Sequence, residues 1–82
     1  MNIEDFKSLA KRAGLRVNIF FHSEFLDCYV AENRSRENPV TIYYPNKSGG
    51  VTLVTGKWKN KNIEFFKDME QLISEMEKRN HG

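Results

Sequence analysis

The chain has 82 residues and a net charge of +2, from thirteen Lys and Arg against eleven Asp and Glu. That length is about one small domain, since typical domains run to roughly 100–150 residues, and it excludes a two-domain enzyme with a cleft between its lobes. A 39% hydrophobic share with 12% aromatic residues excludes a disordered chain, and the charge surplus is too slight to mark a nucleic-acid binder by itself.

The opening segment predicts an amphipathic helix. Asn2 with Asp5 three residues on resembles a capping box, and Ile3, Phe6, Leu9, Ala10 and Ala13 then recur on one helical face. Gly14 stands where a left-handed C-terminal cap belongs, and Lys11 and Arg12 complement the helix dipole. The first five residues carry two acids and no apolar run follows, so no secretory signal is expected.

From Leu15 the period changes to two, which predicts two strands joined by a tight turn at Ser23–Glu24, or by a slightly longer loop because those residues suit a two-residue turn poorly. This register places Leu15, Val17, Ile19 and Phe21 on the core face together with Leu26, Cys28 and Val30. The other face receives Phe20, His22, Phe25, Asp27 and Tyr29. Residues 33–39 read as an exposed loop carrying Arg34 and Arg36, ended by Pro39.

A second hairpin pairs Val40–Tyr44 with Val51–Thr55 around Gly49-Gly50. Its core face holds Val40, Ile42, Tyr44, Val51 and Leu53, and its outer face shows Thr41, Tyr43, Thr52 and Val54, with Trp58 beyond Gly56. Lys57, Lys59 and Lys61 make the next connection basic. A last helix follows, marked by Phe65, Phe66, Met69, Leu72, Ile73 and Met76. Its start is either Asn62 or Asp68, the second leaving Ile63–Phe66 as a short strand and Gln71 to close a capping box; Asp68 is favoured.

The expected fold is α+β and two-layer over residues 1–82 as a single domain, an antiparallel four-stranded sheet in the order α-β-β-β-β-α with both helices on one face. The second sheet face is then left without a covering element.

Residue chemistry argues for binding and against catalysis. Cys28 with His22 and Asp27 would be the natural nucleophilic set, but the register buries Cys28 and turns the other two to the opposite face. Two histidines and one cysteine supply too few ligands for a metal site, no paired carboxylates or phosphate-binding glycine loop occurs, and no cofactor is expected. The lone thiol suits a reducing cytoplasm, and no apolar stretch approaches a membrane span.

Phe20, Phe25, Tyr29, Tyr43 and Trp58 on one bare face, flanked by Arg34, Arg36, Lys57, Lys59 and Lys61, would form an interface. The plainer alternative is that Phe20 and Phe25 pack on each other across the hairpin, or that a loop folds over them. The expected function is a non-enzymatic module that occupies a surface on another protein, a second copy of the chain included. The alternative is a single-stranded nucleic-acid binder using the aromatic face and the basic loops. In size and composition the chain resembles the small accessory proteins of phages and mobile elements, anti-CRISPR inhibitors among them, a resemblance of kind that implies a regulator or inhibitor.

Overall fold

The computed structural model describes residues 2–47 and 49–81, with the side chains of Trp58 and His81 left out of the description. Helix α1 (Ile3–Arg12) starts where the Asn2 side chain accepts a hydrogen bond from Asp5 N at 2.8 Å, and it ends at Gly14 in the left-handed region (φ 72°). Five strands follow: β1 (Ile19–Ser23), β2 (Cys28–Asn33), β3 (Val40–Pro45), β4 (Val51–Thr55) and β5 (Asn62–Phe66). A short 3-10 turn, Trp58–Asn60, precedes β5, and helix α2 (Met69–His81) closes the chain.

The strands pair in sequence order as one antiparallel meander, β1-β2-β3-β4-β5. The α+β class with two helices and an antiparallel sheet is as expected, but the sheet has five strands and not four. The fifth arises because Ile63, Phe65 and Phe66 pair with β4 in the register Leu53↔Glu64, after which Asp68 caps α2. Asp68 accepts from Gln71 N at 2.8 Å, and the Gln71 side chain accepts in turn from Lys67 N at 2.6 Å, a reciprocal capping box. Phe65 and Phe66 continue the helical spacing of Met69, Leu72, Ile73 and Met76 across this boundary, which is why the helix stripe alone cannot locate it.

One side of the sheet and both helices share a single apolar cluster. Phe6, Ala10 and Ala13 of the first helical segment meet Ala31, Ile42, Val51 and Leu53 of the sheet, and Met69, Leu72, Ile73 and Met76 complete the cluster from α2. The second hairpin has the expected faces, with Ile42 opposite Leu53 and both essentially inaccessible.

The first hairpin is turned over relative to expectation. Phe20 and Tyr29 pack against the helix-covered cluster, Tyr29 stacking on Phe6 with ring centroids 5.6 Å apart and the Lys7 ammonium 5.6 Å from the Phe20 centroid. Ile19, Phe21, Cys28 and Val30 therefore project from the other side. A local feature accompanies this reversal. Val17 N donates to Leu15 O at 2.9 Å, a three-residue turn that breaks the pleat before β1 begins, so Leu15 and Val17 reach the core from a connection and set no parity for the strand. The turn is also longer than two residues: Ser23 pairs with Cys28, and Glu24–Asp27 form the loop, with Leu26 N donating to Ser23 Oγ and Asp27 in the left-handed region at φ 49°. Opposite Phe20 stands Ala31, whose small side chain leaves room for the ring beneath α1.

Candidate functional site

The face of the sheet away from the cluster is built from two rows of side chains, because residues directly opposite in an antiparallel pair point the same way. One row runs Phe21–Val30–Tyr43–Thr52–Phe65 across all five strands, and the next runs Ile19–Glu32–Thr41–Val54–Ile63. Val30 in the middle is buried, whereas the edge positions are not: Phe65 is 79% exposed, Ile63 54% and Phe21 39%. Three of the five large apolar residues that the described chain leaves open thus fall on this face, and the other two, Phe25 and Leu26, form the tip of the β1–β2 loop.

The connections at one end of the sheet carry a concentration of positive charge. The β2–β3 loop holds Arg34 and Arg36, the β4–β5 connection holds Lys57, Lys59 and Lys61, and Arg16 precedes β1 at the same end. These segments are tied together: Gly56 N donates to Pro39 O at 3.2 Å, the Asn33 amide donates to the Arg16 carbonyl, and Lys57 lies 3.8 Å from Glu37. Six cations meet only two carboxylates there, Glu32 and Glu37, on a chain whose net charge is +2. Arg34 pairs with Glu32 at 3.0 Å, while Arg16, Arg36 and Lys59 make no ion pair among the described residues.

Two hollows open at this basic end. A cleft of about 640 Å³ is bordered by Arg16, Asn18, Ile19, Asn33 and Arg34, and a smaller one of about 200 Å³ is bordered by Thr41, Tyr43, Val54 and Lys61. Ile19, Thr41 and Val54 belong to the same row of the outer face, so that row runs from one hollow to the other.

The residues that the sequence singles out divide accordingly. Tyr43 lies on the outer face, and Arg34, Arg36, Lys57, Lys59 and Lys61 lie at its basic end. Phe20 and Tyr29 do not belong to this surface, since both pack against the cluster on the helix side. Phe25 sits at the loop tip, 96% exposed, and not on the sheet. The Trp58 side chain lies outside the described residues. Sequence reading misses Phe21, Ile63, Phe65 and Arg16. The alternation Asn62-Ile63-Glu64-Phe65 is a period-two signal that could have placed Ile63 and Phe65 on one strand face.

His22 and Cys28 project from opposite faces of the sheet. Cys28 belongs to the outer side, between Ser23 and Pro45, and not to the main cluster as expected. It is nevertheless 3% exposed, and burial, reinforced by the neighbouring Asp27 carboxylate, pushes its thiol pKa up. His22 packs against Tyr29, with ring centroids 5.1 Å apart and planes tilted by 54°, and takes part in a polar cluster at the hairpin end. Asn46 Nδ2 donates to Asp27 Oδ1 at 2.9 Å and lies 3.1 Å from His22 Nε2, which is 3.6 Å from the same carboxylate. The Asn46 amide, aided by Lys47, holds the Asp27 carboxyl below its ordinary range. With Asn46 N also donating to Asp27 O at 3.1 Å, the cluster ties the β1–β2 loop to the end of β3.

Among the described residues no three His, Cys, Asp or Glu side chains gather to hold a metal ion, and no helix is long and apolar enough to cross a membrane. Comparison of the chain with protein-family models, curated proteins and solved structures returned no match.

Proposed function

We propose that the chain is a non-enzymatic binding module, a small regulator or inhibitor that acts by placing the outer face of its sheet on another protein. The reading takes the fold as two-layered, with α1 and α2 on one side and nothing from this chain on the other. One observation carries it: Phe21, Ile63 and Phe65 stand open on one face, with Val30, Tyr43 and Val54 between them alongside Glu32, Thr41 and Thr52. Exposed apolar groups scattered singly need no explanation, but a contiguous set on one face is characteristic of an interaction surface. A non-catalytic role is supported by the separation of His22 from Cys28, and a reducing cytoplasm suits the unpaired thiol.

Single-stranded nucleic acid is the second reading, favoured by the cations gathered at one end of the same face. The open rings fit it less well. Phe21 and Phe65 lie on opposite edge strands, roughly 19 Å apart at four strand spacings, and of the three positions between them in their row only Tyr43 carries a ring. Base stacking needs successive rings along the path of the strand, and cations that follow its backbone. Here the charges stop at the end of the sheet.

A photoreactive amino acid placed at Phe65, and in a parallel preparation at Glu77 on the exposed surface of α2, tests the reading in the cells that make the protein. Protein adducts of defined mass are expected from position 65 and not from position 77. Equal labelling at both positions, or adducts to nucleic acid alone, would overturn it.

A further inference from the structure

We infer that the outer face receives an acidic amphipathic segment of another protein, laid across the strands along the row Ile19–Glu32–Thr41–Val54–Ile63 with its carboxylates toward the basic end. The inference rests on the docking function proposed above and adds the chemistry of the partner.

Three observations lead to it. The row itself is apolar at Ile19, Val54 and Ile63, and its one charged member, Glu32, is engaged by Arg34 at 3.0 Å. The row also borders both hollows, which supply depressions of about 640 and 200 Å³ at the points where Arg16 with Arg34, and then Lys61, rise beside it. Arg36 and Lys59, which make no ion pair among the described residues, extend the charge along the same side. A segment crossing here would find apolar side chains beneath it and cations along one flank only. The complement is a segment with an apolar underside and Asp or Glu along one edge.

Charge distinguishes this occupant from a second copy of the chain. A second outer face would bring the same cations with Glu32 and Glu37 as the acids at its basic end, and so offers that end no matching row of carboxylates. A segment needs only the width of the sheet. At ~4.8 Å per strand that is roughly 19–24 Å, the length of a helix of about 13–16 residues. The opposite face is already served by a helix of this size, α2 with 13 residues.

The test is peptide display against the whole chain, counter-selected on the Ile63→Ser/Phe65→Ser double variant, both positions being open enough for the fold to survive. Selected peptides are expected to combine an apolar stripe with Asp or Glu along one edge. Fluorescence anisotropy should then show affinity falling at least roughly tenfold on the Arg16→Glu/Lys59→Glu chain, and falling with added salt on the parent. Peptides that depend on Ile63 and Phe65 but carry no acidic bias and ignore the charge reversal would overturn the inference while leaving the docking function in place. Failure to select any peptide that discriminates the Ile63→Ser/Phe65→Ser chain would overturn the docking function itself. A labelled fifteen-nucleotide oligo-dT bound through the same residues would overturn both in favour of nucleic acid.

Discussion

Phe20 and Phe21 are adjacent in sequence and point to opposite sides of the sheet, so truncating each in turn measures which side is the core. Phe20 is partly buried against the cluster shared with Phe6 and Ala31, and its ring carries the Lys7 ammonium. Complete removal of a buried Phe side chain typically costs about 3–5 kcal/mol, and for this partly buried ring about 2–3 kcal/mol is expected for Phe20→Ala. Phe21 is 39% exposed on an edge strand, opposite Val30, so Phe21→Ala should cost about 1–2 kcal/mol. A domain of this length has a total stability of roughly 4–12 kcal/mol, so the first change removes the larger share of it. Urea unfolding followed by far-ultraviolet circular dichroism resolves the difference, and the thermal midpoint of Phe20→Ala should fall by about 10 °C or more. If Phe21→Ala is the more damaging of the two, the faces of the first hairpin are assigned the wrong way round, and the docking surface built on them fails.

Gly56 has φ 91°, and a Cβ there would meet the Asn60 carbonyl oxygen at 2.5 Å, whereas a Cβ on Gly49, φ 72°, would meet nothing within 4 Å. Chemical denaturation of the two alanine variants should therefore show a loss of about 1 kcal/mol for Gly49→Ala and clearly more for Gly56→Ala; equal losses would refute the close approach. The Arg79 guanidinium, hydrogen-bonded to both carboxylate oxygens of Glu64, holds that carboxyl below its ordinary range and fastens β5 to α2. A depressed folded-state pKa means that the stabilisation is complete above the unfolded value of about 4.3 and disappears as pH falls through the folded one. Because the Arg79 side chain is 46% exposed, the pair is worth no more than about 1 kcal/mol, and Glu64→Gln should flatten the acid limb of stability against pH by that amount in urea titrations. Cys28 should react with a thiol reagent only on unfolding, and Cys28→Ala should leave partner binding unchanged; rapid labelling of the folded chain would contradict its burial.

Local chemistry alone made several elements legible. Asn2 and Gly14 bound α1, Asp68 and Gln71 start α2, and the alternation of Val40–Tyr44 and Val51–Thr55 assigns their faces, because one side of each strand is apolar enough to admit a single register. Which residues of the first hairpin occupy the outer face did not follow from local chemistry. Ile19-Phe20-Phe21 and Cys28-Tyr29-Val30-Ala31 are apolar at both parities, so the pattern is equally consistent with either side facing in.

Tertiary contacts settled what the pattern left open. The turn between Leu15 and Val17 uncouples those residues from the strand phase, Phe6 stacks on Tyr29, and Ala31 gives Phe20 the space to lie under α1. Each is a contact between segments distant in sequence or a backbone conformation without a strong residue signature. The basic end arises in the same way, from Arg16, the Arg34–Arg36 loop and the Lys57–Lys61 connection meeting when the strands pair in order. Composition and local pattern determined the elements and one well-defined hairpin. The orientation of the other hairpin, and with it the identity of the open surface, was decided by long-range packing, because apolar side chains on both faces of a strand have no preferred side until a helix arrives to cover one.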